Sequence, residues 1–393
     1  MEETASPKIV CLSNIFDDHY HELRDETVQR CVTVPFRRDL FQSLQLATGR
    51  EVFVLSSPPR AMARRKGKWL PPVETRFATY RQFFCGTWDA PKWRLPVSWL
   101  LYARHVLRHV KDGDLVVVDN YELLYIIAAW LVRVCRRVHF LLVYLDGKHI
   151  IDRSWDRLFS SLAEAAGRPL FGGALLSNPS LGRRLPSGLP TELVPGYLSE
   201  TAPPNPSSPT GEVHFVYAGL LGRSHGIDLL LAAVPLLPPT GWQLAIAGQG
   251  PLTEEVKRFA ADPRWAGRVK YLPAMPAGEF QQLLAASHVG LNCQSLADPI
   301  SDVTFPSKIF TYLSAGLLVL SSRSGCVEPI CQDACLYYDE EKPASLAGAM
   351  KAIIMNFPEE RKKPHPGFVF NHYSMAAAAF RLKKLLEKMG VDI

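Results

Sequence analysis

The chain has 393 residues, 47% of them hydrophobic, which is enough for two domains of ordinary size and excludes a disordered chain. A formal charge of +6 and a pI near 8.8 are too modest to point to nucleic acid, which calls for a sharper basic stripe. They permit an anionic substrate or a membrane surface.

The segment Met1 to Lys8 is acidic and polar and lacks the basic and apolar regions of a secretory signal, so a cytoplasmic location is the expectation. Apolar runs then alternate with helical patterns. Strands are predicted at Ile9 to Leu12, Val52 to Ser56, Leu115 to Asp119, His139 to Leu145 and Ala174 to Ser177. Helices are predicted at Arg37 to Ala47, Pro96 to Val110, Leu123 to Arg136 and Asp152 to Ala165. The most apolar stretch, Leu123 to Leu145, is broken by Arg133, Arg136, Arg137 and His139, which reads as a helix followed by a buried strand rather than a membrane span. Residues 199–212 hold four prolines among small polar residues and read as a linker.

A second alternating series follows, with strands at Val213 to Ala218, Gln243 to Ala247, Val269 to Leu272, Val289 to Asn292, Leu317 to Ser321 and Leu336 to Tyr338. Beyond Pro364 and Pro366, Ser374 to Met389 carries alanines and leucines on one side and lysines on the other. The expected organisation is an α/β chain with a first domain over 1–198, a linker over 199–212, a second domain over 213–372, and a terminal helix over 373–393 crossing the domain junction. Two such domains favour a cleft at the carboxyl ends of their sheets, where ligands bind in open α/β folds.

The eight cysteines lie mostly within apolar elements, as at Cys11, Cys135 and Cys293, and read as reduced core thiols rather than a disulfide framework. Cys326, Cys331 and Cys335 are close in sequence, but a metal site would want a fourth ligand, so no metal is assigned.

Three segments carry candidate chemistry. Phe305 to Ser322 joins Pro306 at the start of a helix, Lys308 as the one cation of its first turn, Ile309, Phe310 and Leu313 on one face, Gly316 as a stop, and an apolar strand. An ammonium there suits a diphosphate; the alternative is a solvated surface lysine. The strand at Val213 runs into Gly219-Leu-Leu-Gly222-Arg223-Ser-His225-Gly226, where glycines let backbone amides approach phosphate and Arg223 and His225 add charge-assisted bonds. Gly248-Gln-Gly250 repeats that strand-to-turn pattern one unit later. Each glycine motif alone is equally a structural turn.

In this order and combination the segments resemble the donor domain of GT-B glycosyltransferases, especially those of retaining family four. The resemblance covers Val213 to Tyr338; the first domain matches in architecture alone. It implies two Rossmann-like domains facing a cleft and a nucleotide diphosphate sugar held on the second domain without a metal or other cofactor. It places Gly222, Arg223, His225 and Lys308 at the diphosphate, Met275 near the base, and Glu328 near the donor sugar. The family's usual Glu-x7-Glu pair falls on Val303 and Thr311, so Thr311 stands where a ribose-binding carboxylate is usual.

That departure also resembles the xanthan glucuronosyltransferase, which has a catalytic Asp-Gly after a strand equivalent to His139 to Leu145. By that resemblance Asp146 is the catalytic base; a turn or helix cap is the alternative. The polar loop after the first strand, with Asp17, Asp18 and His19, suggests acceptor recognition. Arg60, Arg64, Arg65, Lys66 and Lys68 beside Trp69, with Phe83, Phe84, Trp88, Trp93 and Trp99 following, suggest either contact with anionic lipid headgroups or solvated charges over an aromatic core. The resulting expectation is a cytoplasmic enzyme at the inner face of the membrane. It would move a hexose from a nucleotide sugar, UDP favoured over GDP, to a glycan or lipid-linked saccharide. A non-catalytic sugar-nucleotide binder or partner subunit is the alternative.

Overall fold

The computed structural model describes residues 6–15, 34–57, 69–88, 94–145, 155–198, 211–339 and 341–393. They fall into two compact units, Met1–Val194 with Met375–Ile393, and Pro195–Ser374.

The first unit contains strands β1 (Ile9–Leu12), β2 (Val52–Ser56), β3 (Trp69–Leu70), β4 (Val73–Arg76), β5 (Arg81–Phe84), β6 (Thr87–Trp88), β7 (Leu115–Asp119), β8 (His139–Tyr144), β9 (Gly173–Leu176) and β10 (Thr191–Leu193). Its helices are α1 (Val34–Thr48), α2 (Arg94–His109), α3 (Leu123–Cys135) and α4 (Trp155–Gly167). The main sheet has the order β10-β9-β8-β7-β1-β2-β5-β4 and is parallel except where β4 meets β5. β1, β2, β7 and β9 are buried throughout, as a sheet covered on both faces requires. The chain moves one way along the sheet through α1, from β1 to β2, and the other way through α2, α3 and α4. Right-handed crossovers therefore place α1 on one face and the α2–α3–α4 layer on the other.

The second unit contains β11 (Val213–Leu220), α5 (Ile227–Ala233), β12 (Trp242–Gln249), α6 (Thr253–Ala260), β13 (Val269–Leu272), α7 (Ala277–Ala285), β14 (Val289–Asn292), α8 (Lys308–Ser314), β15 (Leu318–Ser322), α9 (Val327–Cys331), β16 (Leu336–Tyr338), α10 (Pro343–Met355), α11 (Phe357–Glu360) and α12 (Gly367–Tyr373). Its sheet, β13-β12-β11-β14-β15-β16, is parallel throughout. The core joins Phe215, Tyr217, Trp242, Leu244, Ile246 and Leu291 from the strands to Leu230, Val256 and Met350 from the helices. The last helix, α13 (Met375–Lys388), belongs to the first unit. There it packs against α1, and Arg381 bonds Glu192 of β10 at 2.8 Å.

Most strands lie within two residues of their expected bounds; the sequence reading missed β3 to β6 and β10. β3, β4, β6 and β10 are short pieces on or beyond the sheet edge and β5 is next to the edge strand, and their half-exposed faces blur the apolar pattern. Cys135 corrects the expectation of a core thiol. It sits on the last turn of α3 and is exposed, while Cys11 and Cys293 are buried thiols. Phe84 is buried in β5, whereas Trp69 and Trp88 pair across the β3–β6 ribbon with exposed rings. Trp93 and the cluster Arg60, Arg64, Arg65, Lys66 and Lys68 lie outside the described residues, as does the expected linker except for Gly211 and Glu212.

Candidate active site

The candidate donor site forms at the carboxyl ends of β11, β12, β14 and β15, where adjoining strands of an open parallel sheet release their loops. Gly219 and Gly248 are register partners on β11 and β12. A Cβ on Gly248 would lie 1.9 Å from the Gly219 carbonyl oxygen, and the φ of 141° there is one that side chains rarely adopt. Only glycine lets the two strand ends close. At Gly226, with φ 70°, a Cβ would meet the Cys293 carbonyl oxygen at 1.7 Å, so this glycine lets the turn after β11 lie against the segment after β14.

Between these glycines the chain makes one 3-10 turn, Arg223–His225, before α5. His225 donates its amide to the Gly222 carbonyl at 3.1 Å and Gly226 donates to Arg223 at 2.8 Å. The amides of Gly222, Arg223 and Ser224 have no acceptor among the described residues. Successive unspent N–H groups of this kind form an anion-binding concavity. The Arg223 side chain is exposed. Burial, reinforced by the nearby Lys308 charge, holds the His225 imidazole down at about 4, so it is neutral at physiological pH.

Lys308 opens α8, two residues after Pro306, and the Pro306 and Ser307 carbonyls accept the amides of Ile309 and Phe310. Its ammonium lies 3.9 Å from the centre of the Tyr217 ring. A Cβ on Gly219 would come within 3.3 Å of that nitrogen, so the bare glycine leaves the lysine its path across the end of β11. Lys308 forms no hydrogen bond or ion pair among the described residues. Loss of water around the ammonium pulls its pKa down to about 8. A half-buried cation with only an aromatic face beneath it is an incomplete arrangement, and an anion completes it.

The loop after β14 is fixed from several sides. Ser295 donates its amide to Ser224 at 3.0 Å, Ser322 donates its hydroxyl to the Gln294 carbonyl at 2.9 Å, and the Glu341 carboxylate accepts the amides of Leu296 and Ala297 at 2.9 and 3.1 Å. Val303 is buried, and Thr311 spends its hydroxyl weakly on the Ser307 carbonyl at 3.4 Å. Gln249 at the end of β12 and Met275 in the turn after β13 lie on the same edge of the sheet. Glu328, in the first turn of α9, is exposed and paired with Arg323, which also binds Asp339. Gly222, Arg223, His225, Met275, Lys308, Thr311 and Glu328 therefore all follow the carboxyl ends of strands in one sheet. The direct neighbours within that set are the Arg223–His225 turn and Lys308.

Asp17, Asp18, His19 and Asp146 lie outside the described residues. What is described around them in chain order is a buried polar knot. Asp119, at the end of β7, accepts from Ser13 Oγ at 2.7 Å and Arg37 Nε at 2.6 Å. Asn120, at φ 57°, donates to Asp119 and accepts the Leu145 amide at 2.8 Å. This knot ties together the ends of β1, β7 and β8 and the first turns of α1.

Sequence reasoning missed Tyr217 and the Asp119–Arg37 pair. For Tyr217 the signal was present, since residues 217 and 219 share a face of one strand. For Asp119 and Arg37, separated by 82 residues, no local pattern links them. Among the described residues no group of three or more His, Cys, Asp or Glu converges as a metal ligand set.

Residues 212–356 match the family described as Glycosyl transferases group 1. The second unit carries a glycosyl transferases group 1 domain. A curated relative, Probable glycosyltransferase WbjE of Pseudomonas aeruginosa, is 30% identical over 111 residues, and the match spans 28% of this chain and 27% of that protein. Among solved structures, sucrose-phosphate synthase from Thermosynechococcus elongatus superposes with a TM-score of 0.67 at 16% identity, covering 98% of this chain and 99% of that one. Anabaena Alr3699/HepE in complex with UDP and glucose gives 0.66 at 12% identity, covering 97% and 99%. These likenesses extend over both units and show the GT-B fold. The group 1 domain contains every donor-side residue expected from the sequence, from Gly222 to Glu328.

Proposed function

We propose that this chain is a glycosyltransferase that moves a hexose from a nucleotide diphosphate sugar, UDP favoured over GDP, to a hydroxyl of a glycan or lipid-linked saccharide. The observation that carries the reading is the Lys308 ammonium, which has no anionic partner among the described residues and stands near the Arg223–His225 turn. Cleavage of a sugar–phosphate bond leaves a diphosphate on which negative charge grows through the transition state. A preplaced cation and fixed backbone donors stabilise that charge without reorganising. Lys308, the amides of Gly222 to Ser224 and the Arg223 guanidinium fill this role, which asks nothing of a metal. The group 1 domain and the UDP named in the HepE complex support the donor class.

In this reading Met275 lies toward the base and Glu328 toward the donor sugar, while Asp17, Asp18 and His19 belong to acceptor recognition. Asp146, which follows β8, takes the proton of the attacking hydroxyl; the bond from that oxygen to the anomeric carbon forms as the diphosphate departs. Thr311 leaves the ribose without the carboxylate usual in the family, and this favours one alternative, a sugar-nucleotide binder that has lost turnover. Thermal-shift screening of UDP, GDP and ADP sugars identifies the donor by mass-action stabilisation, followed by product detection with glycan and lipid-linked acceptors. Stabilisation by UDP-hexose with product formed is the expected outcome. Binding without transfer or donor hydrolysis across the panel selects the alternative, and no stabilisation by any nucleotide sugar removes both.

A further inference from the structure

The outer face of the α2–α3–α4 layer has a composition that the donor chemistry does not use. α3 is apolar on every side until Arg133. Tyr125, Ile126, Ala128, Ala129 and Val132 face the sheet, while Ile127, Trp130, Leu131 and Val134 point outward with exposures of 39, 39, 40 and 81%. Those four fall at i, i+3, i+4 and i+7, one continuous stripe along the helix. α3 packs beside α4, and Trp130 donates its indole N–H to the Ala166 carbonyl at 2.9 Å, so the stripe continues into exposed Leu158, Phe159 and Leu162. On the other flank α2 packs beside α3 and presents Leu100, 72% exposed. A helix layer covering a sheet needs polar residues on its outer side, and this one has leucines and aromatics there.

Among the described residues, the exposed charged side chains of these three helices are arginines. Arg104 and Arg108 follow Leu100 at i+4 and i+8 on α2; Arg133 lies on α3 and Arg157 on α4, all four exposed. Arg136 and Arg137, also exposed, extend the set beyond α3. Glu164, the acidic side chain described on these helices, is buried and bound to Arg168 and Arg184, so it offsets none of the outward charge. Exposed leucines and an indole edged by arginines fit the boundary between acyl chains and anionic headgroups.

We propose that the α2–α3–α4 face docks on a bilayer carrying anionic lipids. Arginines hold the headgroups, and Ile127, Leu131, Val134 and Leu162 enter the headgroup–acyl boundary. The residues named here lie outside the basic and aromatic set of residues 60–99 read from the sequence, and the inference does not depend on the donor reading because lipid binding is measured without nucleotide.

The test uses the full chain with vesicles of phosphatidylglycerol and phosphatidylcholine against phosphatidylcholine alone, read by flotation. Two variants are compared: Leu131→Gln with Val134→Gln, and Arg104→Gln with Arg108→Gln and Arg133→Gln. Unchanged far-ultraviolet circular dichroism and melting temperature certify folding, and all the substituted side chains are outward-facing. Wild type should float with anionic vesicles at low salt and release as salt rises. Each arginine removed should lower partitioning roughly fivefold, so the triple variant loses on the order of 100-fold. The glutamine pair should weaken binding at every salt concentration. Failure of the folded wild type to bind anionic vesicles overturns the proposal, as does equal binding by both variants. Concentration-dependent dimerisation of wild type that either variant abolishes, without lipid binding, assigns the face to a second copy of the chain and also overturns it.

Discussion

Replacing Lys308 by methionine should raise the stability of the ligand-free second unit while removing its affinity for the donor. The ammonium's pKa falls from 10.5 to about 8, a drop that corresponds to about 3 kcal/mol at pH 7. For a lysine the sign follows from proton counts. Between pH 8 and 10.5 the unfolded chain holds the proton and the folded chain does not, so stability rises across that window and the charge is a penalty below it. Methionine removes the penalty but forfeits the contact with the Tyr217 ring, about 1 kcal/mol. The net gain of about 2 kcal/mol corresponds to about 4–8 °C for a domain of this size. The same change should weaken UDP about 10- to 100-fold, the worth of a charge-assisted contact. In the wild type only the protonated lysine pairs with the diphosphate, so affinity should fall about tenfold per pH unit above 8. Differential scanning fluorimetry without ligand and calorimetric titration with UDP from pH 6.5 to 9.5, about the window set by the lysine, measure both. A variant that melts below wild type refutes the unpaired-cation reasoning, and one that binds UDP with wild-type affinity refutes the phosphate assignment.

Tyr217→Phe keeps the ring under Lys308 and loses one hydrogen bond to the Leu220 carbonyl, so it should cost about 1 kcal/mol in stability and little donor affinity; Tyr217→Leu should weaken donor binding as well, and equal affinities would show that the ring does not hold the lysine. Gly248→Ala should destabilise the second unit by about 3 kcal/mol or more, because the new methyl meets a carbonyl oxygen, whereas Gly278→Ala meets nothing and should leave the melting temperature near wild type. Asp119→Asn removes the carboxylate charge that pairs with the buried Arg37 guanidinium and should cost about 3–5 kcal/mol; combining it with Arg37→Met should recover part of the loss, and simple additivity in that cycle would show that the pair does not act as a unit. Because His225 is neutral from about pH 5 upward, His225→Gln should leave the acid limb of the donor-affinity profile between pH 5 and 7 unchanged, and a shift of that limb would show that the ring is charged.

What was legible in the sequence is what repeats locally. Buried parallel strands such as Leu115-Val-Val-Val-Asp119 are nearly continuous apolar runs, and glycines at 219, 226 and 248 mark tight turns and close approaches, so fold class and the turns after β11 and β12 could be read directly. What was not legible depends on meetings between distant segments. Glu341 receives the amides of Leu296 and Ala297 across 45 and 44 positions, and Ser13 reaches Asp119 across 106; neither leaves a periodicity or motif. The α3 stripe is an intermediate case. Its residues were visible as the most apolar stretch of the chain, and the arginines that interrupt it correctly argued against a membrane span. No helix among the described residues is long and apolar enough to cross one.

A helix apolar on all sides is usually buried on all sides. The sheet accounts for one side of α3, and α2 and α4 for its flanks, which leaves Ile127, Trp130, Leu131 and Val134 partly exposed among the described residues. Lys308 presents the same logic in charge rather than in area: the described residues surround the ammonium, provide Tyr217 and pair it with no anion. In both places the group is costly to the isolated chain, and at pH 7 the lysine cost is about 3 kcal/mol. A cost of that size is a substantial fraction of a domain's net stability. It is recovered when the missing partner binds, so the two unfinished surfaces should each be stabilised by its own ligand, Lys308 by a nucleoside diphosphate and the α2–α3–α4 face by anionic lipid.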